Sequence, residues 1–306
     1  VGPEKLREDF RILRGALEEG HPGIYRYTPK AELDKYFDQV EKALDRPMNV
    51  YEFYRVVAPA VAAVKCGHTG VRVNPDLDKG KAVLPLVVRV LDGKLYVLRD
   101  LSCAQGPLRG QEIRVVNGVA AAKMVQTILA ATPGDGDVQT SRLRRVGANF
   151  AGELIDLLGL ESPYSVTVWD AKDNREATMR LEGVAAAKLQ QPRPKDSAEL
   201  TFFDDGKIAD LKIHRFGGTA NKKDLRVFFQ DCFNEVDKKK SAALILDLRD
   251  NGGGADELGK LLLSFLIDEP FQYYDDLVLN GLTFSFQKYT AQKRGLRGKF
   301  SRTQAD

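Results

Sequence analysis

The chain has few of the residues that build disulfide frameworks or metal centres. It holds three cysteines and three histidines in 306 residues. Cys66, Cys103 and Cys232 are far apart and lack ligand spacing, which argues against a disulfide framework and says little about compartment. His21 and His214 have no carboxylates at metal-ligand spacing, so no metal is expected and both read as structural. A surplus of one charge is also missing. Lys and Arg number 46 against 43 Asp and Glu, a net charge of +3, which predicts no nucleic-acid partner. No apolar run is long enough to span a membrane. Part of the small basic excess falls in the last stretch, at Lys288, Lys293, Arg294, Arg297, Lys299 and Arg302, among few apolar residues.

What remains is an ordinary globular composition, 43% hydrophobic and 29% charged, in a chain long enough for two or three domains. Residues 3 to 65 read as helical. Leu6, Phe10, Leu13 and Leu17 make one stripe, broken at His21-Pro22-Gly23. Leu33, Tyr36, Phe37, Val40 and Leu44 make a second, and Asn49 can cap a third helix through Phe53, Val57 and Val61. At Lys65-Cys66-Gly67-His68-Thr69-Gly70-Val71 the periodicity changes from helix to strand. From Val83 to about Gly183 short strands dominate, with turns at Asp92-Gly93 and Asn117-Gly118. Helices are expected at 120–131 and 143–160, the loop PGDGD between them, and a hairpin from YSVTVWD and EATMRLEG. Pro192-Arg193-Pro194 reads as a linker.

Beyond the linker the pattern is α/β. Ile208 to Phe216 reads as a strand. Leu225, Phe228, Phe229, Cys232, Phe233 and Val236 form a helical stripe ending in Lys238-Lys239-Lys240, cations that oppose the negative end of the helix dipole. The run Ala242 to Leu246 then reads as a strand buried on both faces, as in a parallel sheet, which makes a βαβ unit. Asp247, Arg249, Asp250 and Asn251 follow it, then Gly252-Gly253-Gly254, then a helix with Leu258, Leu261, Leu262, Phe265 and Leu266 on one stripe. FQYYDDLVL, 271–279, reads as a further strand.

Strand, glycine loop and helix N-terminus present free backbone N–H groups to something negative: a phosphate, a carboxylate or an acyl-transfer oxyanion. The loop is neither a P-loop, because no Gly-Lys-Ser/Thr follows, nor a dinucleotide fingerprint, because Glu257 stands where a third spaced glycine is needed. Its specific functional option is an oxyanion hole using the N–H groups of Gly252 or Gly253. An Asp247–Arg249 ion pair would fix the loop. Ser264, within an apolar helix, reads as bonding a backbone carbonyl, and Ser285, between Phe284 and Phe286, has no base in view. Cys66 and His68, at i and i+2, could share a strand face; the bland alternative to a Cys–His nucleophilic pair is a small packed cysteine. Trp169 and the Tyr273-Tyr274 pair read as packing; the alternative for the tyrosines is the edge of a peptide groove.

LILDLRDNGGG with its following helix resembles the core signature of the tail-specific, or C-terminal processing, serine proteases. Lys65-Cys66-Gly67-His68-Thr69 resembles the Gly-His-Thr segment of their tricorn-like branch, and GPLRGQEIRVVNGVAA resembles the later half of a PDZ-like domain, though without a Gly-Leu-Gly-Phe-type carboxylate-binding loop. The resemblance implies an α/β fold (α+β overall) in three parts. These are an N-terminal helical region at 1–71, a PDZ-like β-rich domain at 82–184 with a helical insert near 137–160, and an open-sheet core at 195–306 akin to crotonase and ClpP folds. It implies peptide-bond hydrolysis through an acyl-enzyme, with His68 as general base, Gly252 and Gly253 as oxyanion donors, and Asp247, Arg249, Asn251 and Thr69 in support. The nucleophilic serine is expected in a Ser-Ala-rich stretch beyond residue 306, so the core is expected to be truncated. No cofactor is implied. The implied partner is a protein or peptide substrate, with the PDZ-like part either holding its C-terminus or gating access to the site; an oligomer is left open. A periplasmic or secreted location is expected, after removal of a signal peptide that VGPEKLREDF is not. Two rival readings stand beside it: a non-catalytic relative that binds peptides or hydrophobic ligands in the same cleft, and a crotonase-like acyl-CoA enzyme.

Overall fold

The computed structural model describes residues 1–290 apart from 191, 193, 276, 277 and 282. It forms two units, Val1–Gln190 with Val278–Asp306, and Gln191–Leu277. The division falls beside the Pro192–Pro194 segment read as a linker. Of the basic residues noted near the end, only Lys288 is among those described.

The first unit opens with the three expected helices, α1 (Pro3–Gly20), α2 (Lys30–Ala43) and α3 (Val50–Ala62). Each stripe becomes a buried face: Leu6 and Phe10, then Leu33, Phe37 and Val40. Phe10 and Phe37 meet edge to face with centroids 6.0 Å apart. Asn49 caps α3 in a capping box, its side chain accepting from the Glu52 N–H while Glu52 returns the bond to the Asn49 N–H.

Two short strands, β1 (Ala82–Val83) and β8 (Val184–Ala185), pair across the ends of the β-rich region. Between them lie β2 (Leu86–Leu91), β3 (Lys94–Asp100), β4 (Glu112–Val116), β5 (Val119–Ala120), β6 (Tyr164–Asp170) and β7 (Arg175–Leu181). They form an antiparallel sheet in the order β2-β3-β4-β6-β7, with β5 on β4. The turns at Asp92-Gly93 and Asn117-Gly118 have positive φ at both residues, the backbone that hairpin turns matching strand twist require. Helices α4 (Ala121–Ala131) and α5 (Gln139–Asp156) bury Met124, Ile128, Val146 and Phe150 in the sheet's core. α5 thus begins and ends four residues before the expected 143–160. α3 serves two cores: Val57 and Val61 belong to the helical cluster, Tyr54 and Ala58 to that of the sheet.

The α3–α5 contact carries a pH-dependent penalty. Burial, reinforced by the Asp156 carboxylate, pushes Glu153 up to about 7, against a hydrogen bond from Tyr54 Oη at 3.3 Å that lowers it. A carboxyl raised in this way favours the folded state most below its unfolded value. That contribution is lost as pH rises from the ordinary carboxylate range through about 7. Glu153→Gln is therefore expected to raise stability at pH 8 by on the order of 2 kcal/mol and to change it little near pH 4. Urea titrations of both forms at the two pH values check this; equal shifts at both would refute it.

The second unit holds β9 (Ala198–Phe203), β10 (Ile208–Ile213), β11 (Thr219–Ala220), β12 (Lys223–Asp224), α6 (Leu225–Lys239), β13 (Ala243–Asp247) and α7 (Asp256–Ser264). β9 is antiparallel to β10, and β10 is parallel to β13 across the α6 crossover, as the strand–helix–strand order predicts. α6 starts at Asp224, whose side chain accepts the Arg226 N–H, and has Lys238 and Lys239 in its last turn. Its stripe packs Leu225, Phe228, Phe229 and Cys232 with Leu211, Ile213, Leu258 and Leu262. Two strand expectations are corrected. β13 is not buried on both faces: Leu244 and Leu246 pack against the core while Ala243 and Ile245 face out, Ile245 being 50% exposed. The described residues of 271–279 form no strand.

Candidate active site

The residues singled out from the sequence fall on two loops, one in each unit. In the second unit the loop follows β13. Asp247, at the strand's end, is buried and takes three hydrogen bonds from Arg249: the backbone N–H and Nε on Oδ1, both at 2.9 Å, and Nη2 on Oδ2 at 2.7 Å. These bonds hold its carboxyl far below the usual carboxylate range. The expected ion pair is thus a fork that folds the chain back over two residues.

Asn251 is the loop's second tie. Its Nδ2 donates to the Ile213 carbonyl at the end of β10 at 2.9 Å, and its Oδ1 accepts the Gly253 N–H at 2.7 Å. The Phe216 N–H donates to the Gly253 carbonyl, and the Ala255 N–H to the Phe216 carbonyl. Gly254, with φ +145°, lies so close to Phe216 that only a residue without Cβ fits.

The oxyanion expectation needs one correction. Gly253 cannot donate its N–H in this conformation, since Asn251 already holds it. The Gly252 N–H makes no hydrogen bond to a described residue, and Gly252 is exposed. It borders a cavity of about 670 Å³ that Lys212, His214, Arg215 and Arg249 also line. His214, read from sequence as structural, thus stands on a cavity wall, with Nε2 3.3 Å from Glu199 Oε1. Its position one residue past β10, the strand of the βαβ unit that pairs in parallel with the one feeding the glycine loop, was the available signal. An apolar groove of about 370 Å³ also borders the loop, lined by Phe216, Leu246, Leu248, Leu262, Leu266 and Tyr273. Tyr273, read first as packing, is exposed and borders this groove.

In the first unit, His68 and Thr69 lie on the loop after α3. No strand begins there. The Thr69 N–H donates to the Cys66 carbonyl, so a turn, and not a shared strand face, brings Cys66 and His68 onto one side. The segment between α4 and α5 holds this turn. Asp135 Oδ1 accepts the Gly67 N–H at 2.7 Å, the Gly136 N–H donates to the Lys65 carbonyl at 2.9 Å, and Lys65 Nζ meets Asp137 at 2.7 Å. Arg145, on α5, donates to the Gly67 and Pro133 carbonyls, each at 3.1 Å. Asp135 and Arg145 were missed in the sequence. The signal was Asp135 between two glycines in PGDGD, a loop whose bare backbone permits close approach.

The fold brings Cys66, His68 and Asp135 together, with one donor atom of each within 4.8 Å of the others. The ligand spacing sought along the sequence could not reveal this, since Gly67 and Asp135 are 68 residues apart. His21 Nδ1 accepts the Gly23 N–H and fixes its turn, as expected. Four serine hydroxyls make structural hydrogen bonds. Ser264 Oγ donates to the Leu261 carbonyl, Ser285 Oγ to Glu19 Oε2, Ser197 Oγ to the Gly217 carbonyl and Ser241 Oγ to the Gly206 carbonyl.

Comparison with known proteins agrees with the glycine-loop unit. No curated protein matches the chain. A solved structure described as "Crystal Structure of mature CPAF" is similar to it, with a TM-score of 0.58 at 15% identity. The similarity covers 86% of this chain and 58% of that one, so this chain spans little more than half the length of that relative. At that identity the likeness is one of fold. Residues 207–292, which hold β10, α6, β13, the glycine loop and α7, match the model of peptidase family S41.

Proposed function

We propose that the chain is the larger part of a serine peptidase that cleaves protein or peptide substrates through an acyl-enzyme. The observation that carries the reading is the Gly252 N–H, which bonds to no described residue and borders a cavity also lined by Lys212, Arg215, Arg249 and Asp250, inside the segment that matches peptidase family S41. A tetrahedral intermediate places negative charge on the former carbonyl oxygen. A fixed amide donor and nearby cations stabilise that charge without reorganising at the moment of reaction. The ties from Asp247, Arg249 and Asn251 hold the donor in place.

His68 is the general base in this reading. Its imidazole takes the proton of the attacking serine hydroxyl and returns it to the leaving amine; a water molecule then hydrolyses the acyl-enzyme by the same route. Asp135 and Arg145 act through the loop that carries it. Thr69 supports the same turn. The serine nucleophile of this reading is not assigned to any described residue. The apolar groove on the glycine loop favours substrates with an apolar side chain next to the scissile bond. The same groove would serve a non-catalytic binder of peptides or hydrophobic ligands.

Intact-mass analysis with a fluorophosphonate probe separates the two. In protein extended through the region after Asp306, the expected result is a single probe adduct. A chain of that length that binds peptide and takes no adduct would make the protein a binder.

A further inference from the structure

The Cys66–His68–Asp135 cluster offers the three donor types of a zinc site: a thiolate, an imidazole and a carboxylate. We propose that it binds a single zinc-class divalent cation, leaving the fourth tetrahedral position open to water. This goes beyond the peptidase reading, and the binding itself rests on no part of it.

The geometry carries the proposal in three ways. First, the donors lie within 4.8 Å of one another. A tetrahedral zinc ion needs them about 3.3–3.6 Å apart. His68 and Asp135 are exposed and Cys66 half-buried, so side-chain rotation about a fixed backbone can supply the difference. Second, that backbone is fixed. Gly67 N–H to Asp135, Gly136 N–H to the Lys65 carbonyl, and Arg145 to the Gly67 and Pro133 carbonyls tie the two ligand-bearing loops together. Bonds of this kind, made to ligands and to the chain between them, orient a metal's donors. Third, Gly67 sits between two of the ligands, where a side chain would have to displace the Asp135 carboxylate. A Cβ there would lie 2.7 Å from Asp135 Oδ2. Asp135 is therefore drawn against bare backbone at the point midway between Cys66 and His68.

The donor set selects the metal. Thiolate with imidazole suits zinc and its neighbours, whereas magnesium and calcium require oxygen donors. Loss of the thiol proton accompanies binding, and the thiolate and carboxylate together balance the charge of a divalent ion.

Cobalt(II) titration of the reduced chain tests the site directly. A thiolate-to-cobalt charge-transfer band that saturates at one equivalent and is displaced by zinc is expected. Cys66→Ser should abolish the band, and Asp135→Asn should weaken binding. Gly67→Ala, which displaces Asp135, should weaken it by roughly 10- to 100-fold. A chain that shows no band, or a band that survives in Cys66→Ser, would overturn the site; so would affinity unchanged in Asp135→Asn, an exposed position that keeps the fold.

Where the two proposals meet, zinc bound through His68 occupies the lone pair that a general base uses, so zinc should inhibit hydrolysis, and Cys66→Ser should relieve the inhibition. Cobalt binding without zinc inhibition would leave the metal site standing and remove His68 from the role of base.

Discussion

Gly254→Ala is expected to disrupt the second unit, whereas Gly252→Ala two residues earlier should leave its stability within about 0.5 kcal/mol of the parent. The three consecutive glycines look alike in sequence and differ sharply in space. A Cβ on Gly254 would lie 2.0 Å from the Phe216 carbonyl oxygen and 2.6 Å from its carbon. Both are backbone atoms, in the chain segment that pairs with the loop through the Phe216–Gly254 bridge. No side-chain rotation relieves the overlap, and φ at +145° adds strain of its own for any residue with a Cβ. Relief requires breaking the two Phe216 hydrogen bonds that seat the loop. The expected loss is roughly 3 kcal/mol or more. At Gly252 a Cβ meets nothing within 4 Å. Hydrogen-exchange protection of β10 and β13 in the two variants is the measurement. Full protection in Gly254→Ala would show that the loop does not depend on the close approach.

His68→Ala is the second large effect. In protein carrying the complete catalytic set, kcat should fall by on the order of 10²- to 10⁴-fold with KM little changed, the range a positioned general base contributes. The substitution is suited to the test because His68 is exposed, so its removal is expected to change stability by no more than about 0.5 kcal/mol. A loss of activity can then be assigned to chemistry and not to unfolding. Unchanged hydrolysis would remove His68 from the mechanism while leaving the Gly252 donor intact as a separate proposition. Gly252→Ala is the matching control on the other loop, since it keeps the N–H that the oxyanion reading requires.

Much of the molecule was legible before folding because local rules governed it. Three amphipathic stripes became α1, α2 and α3, and Asn49 with Glu52 formed its capping box, because periodicity and a capping side chain act within one or two turns of chain. Asp92-Gly93 and Asn117-Gly118 became turns for the same reason. The Asp247–Arg249 pair was readable because its partners are two residues apart. Misreadings arose where the neighbour decided the outcome. Ala242 to Leu246 has the apolar character of a doubly buried strand, yet β13 packs Leu244 and Leu246 against the core and exposes Ile245. The segment after α3 alternates like a strand, but Asp135 from the loop between α4 and α5 and Arg145 from α5 bind its backbone and hold it as a turn.

The sequence by itself determined the helices, the turns, the βαβ order and the position of the glycine loop, since each depends on residues close along the chain. Only the tertiary structure decided which glycine keeps a free amide, that His214 stands on the cavity wall, and that Cys66, His68 and Asp135 share one corner. Those outcomes depend on hydrogen bonds and close approaches between segments that are distant in sequence. In the two loops, Asn251 bonding to Ile213 and Gly67 to Asp135 are the contacts that decided them.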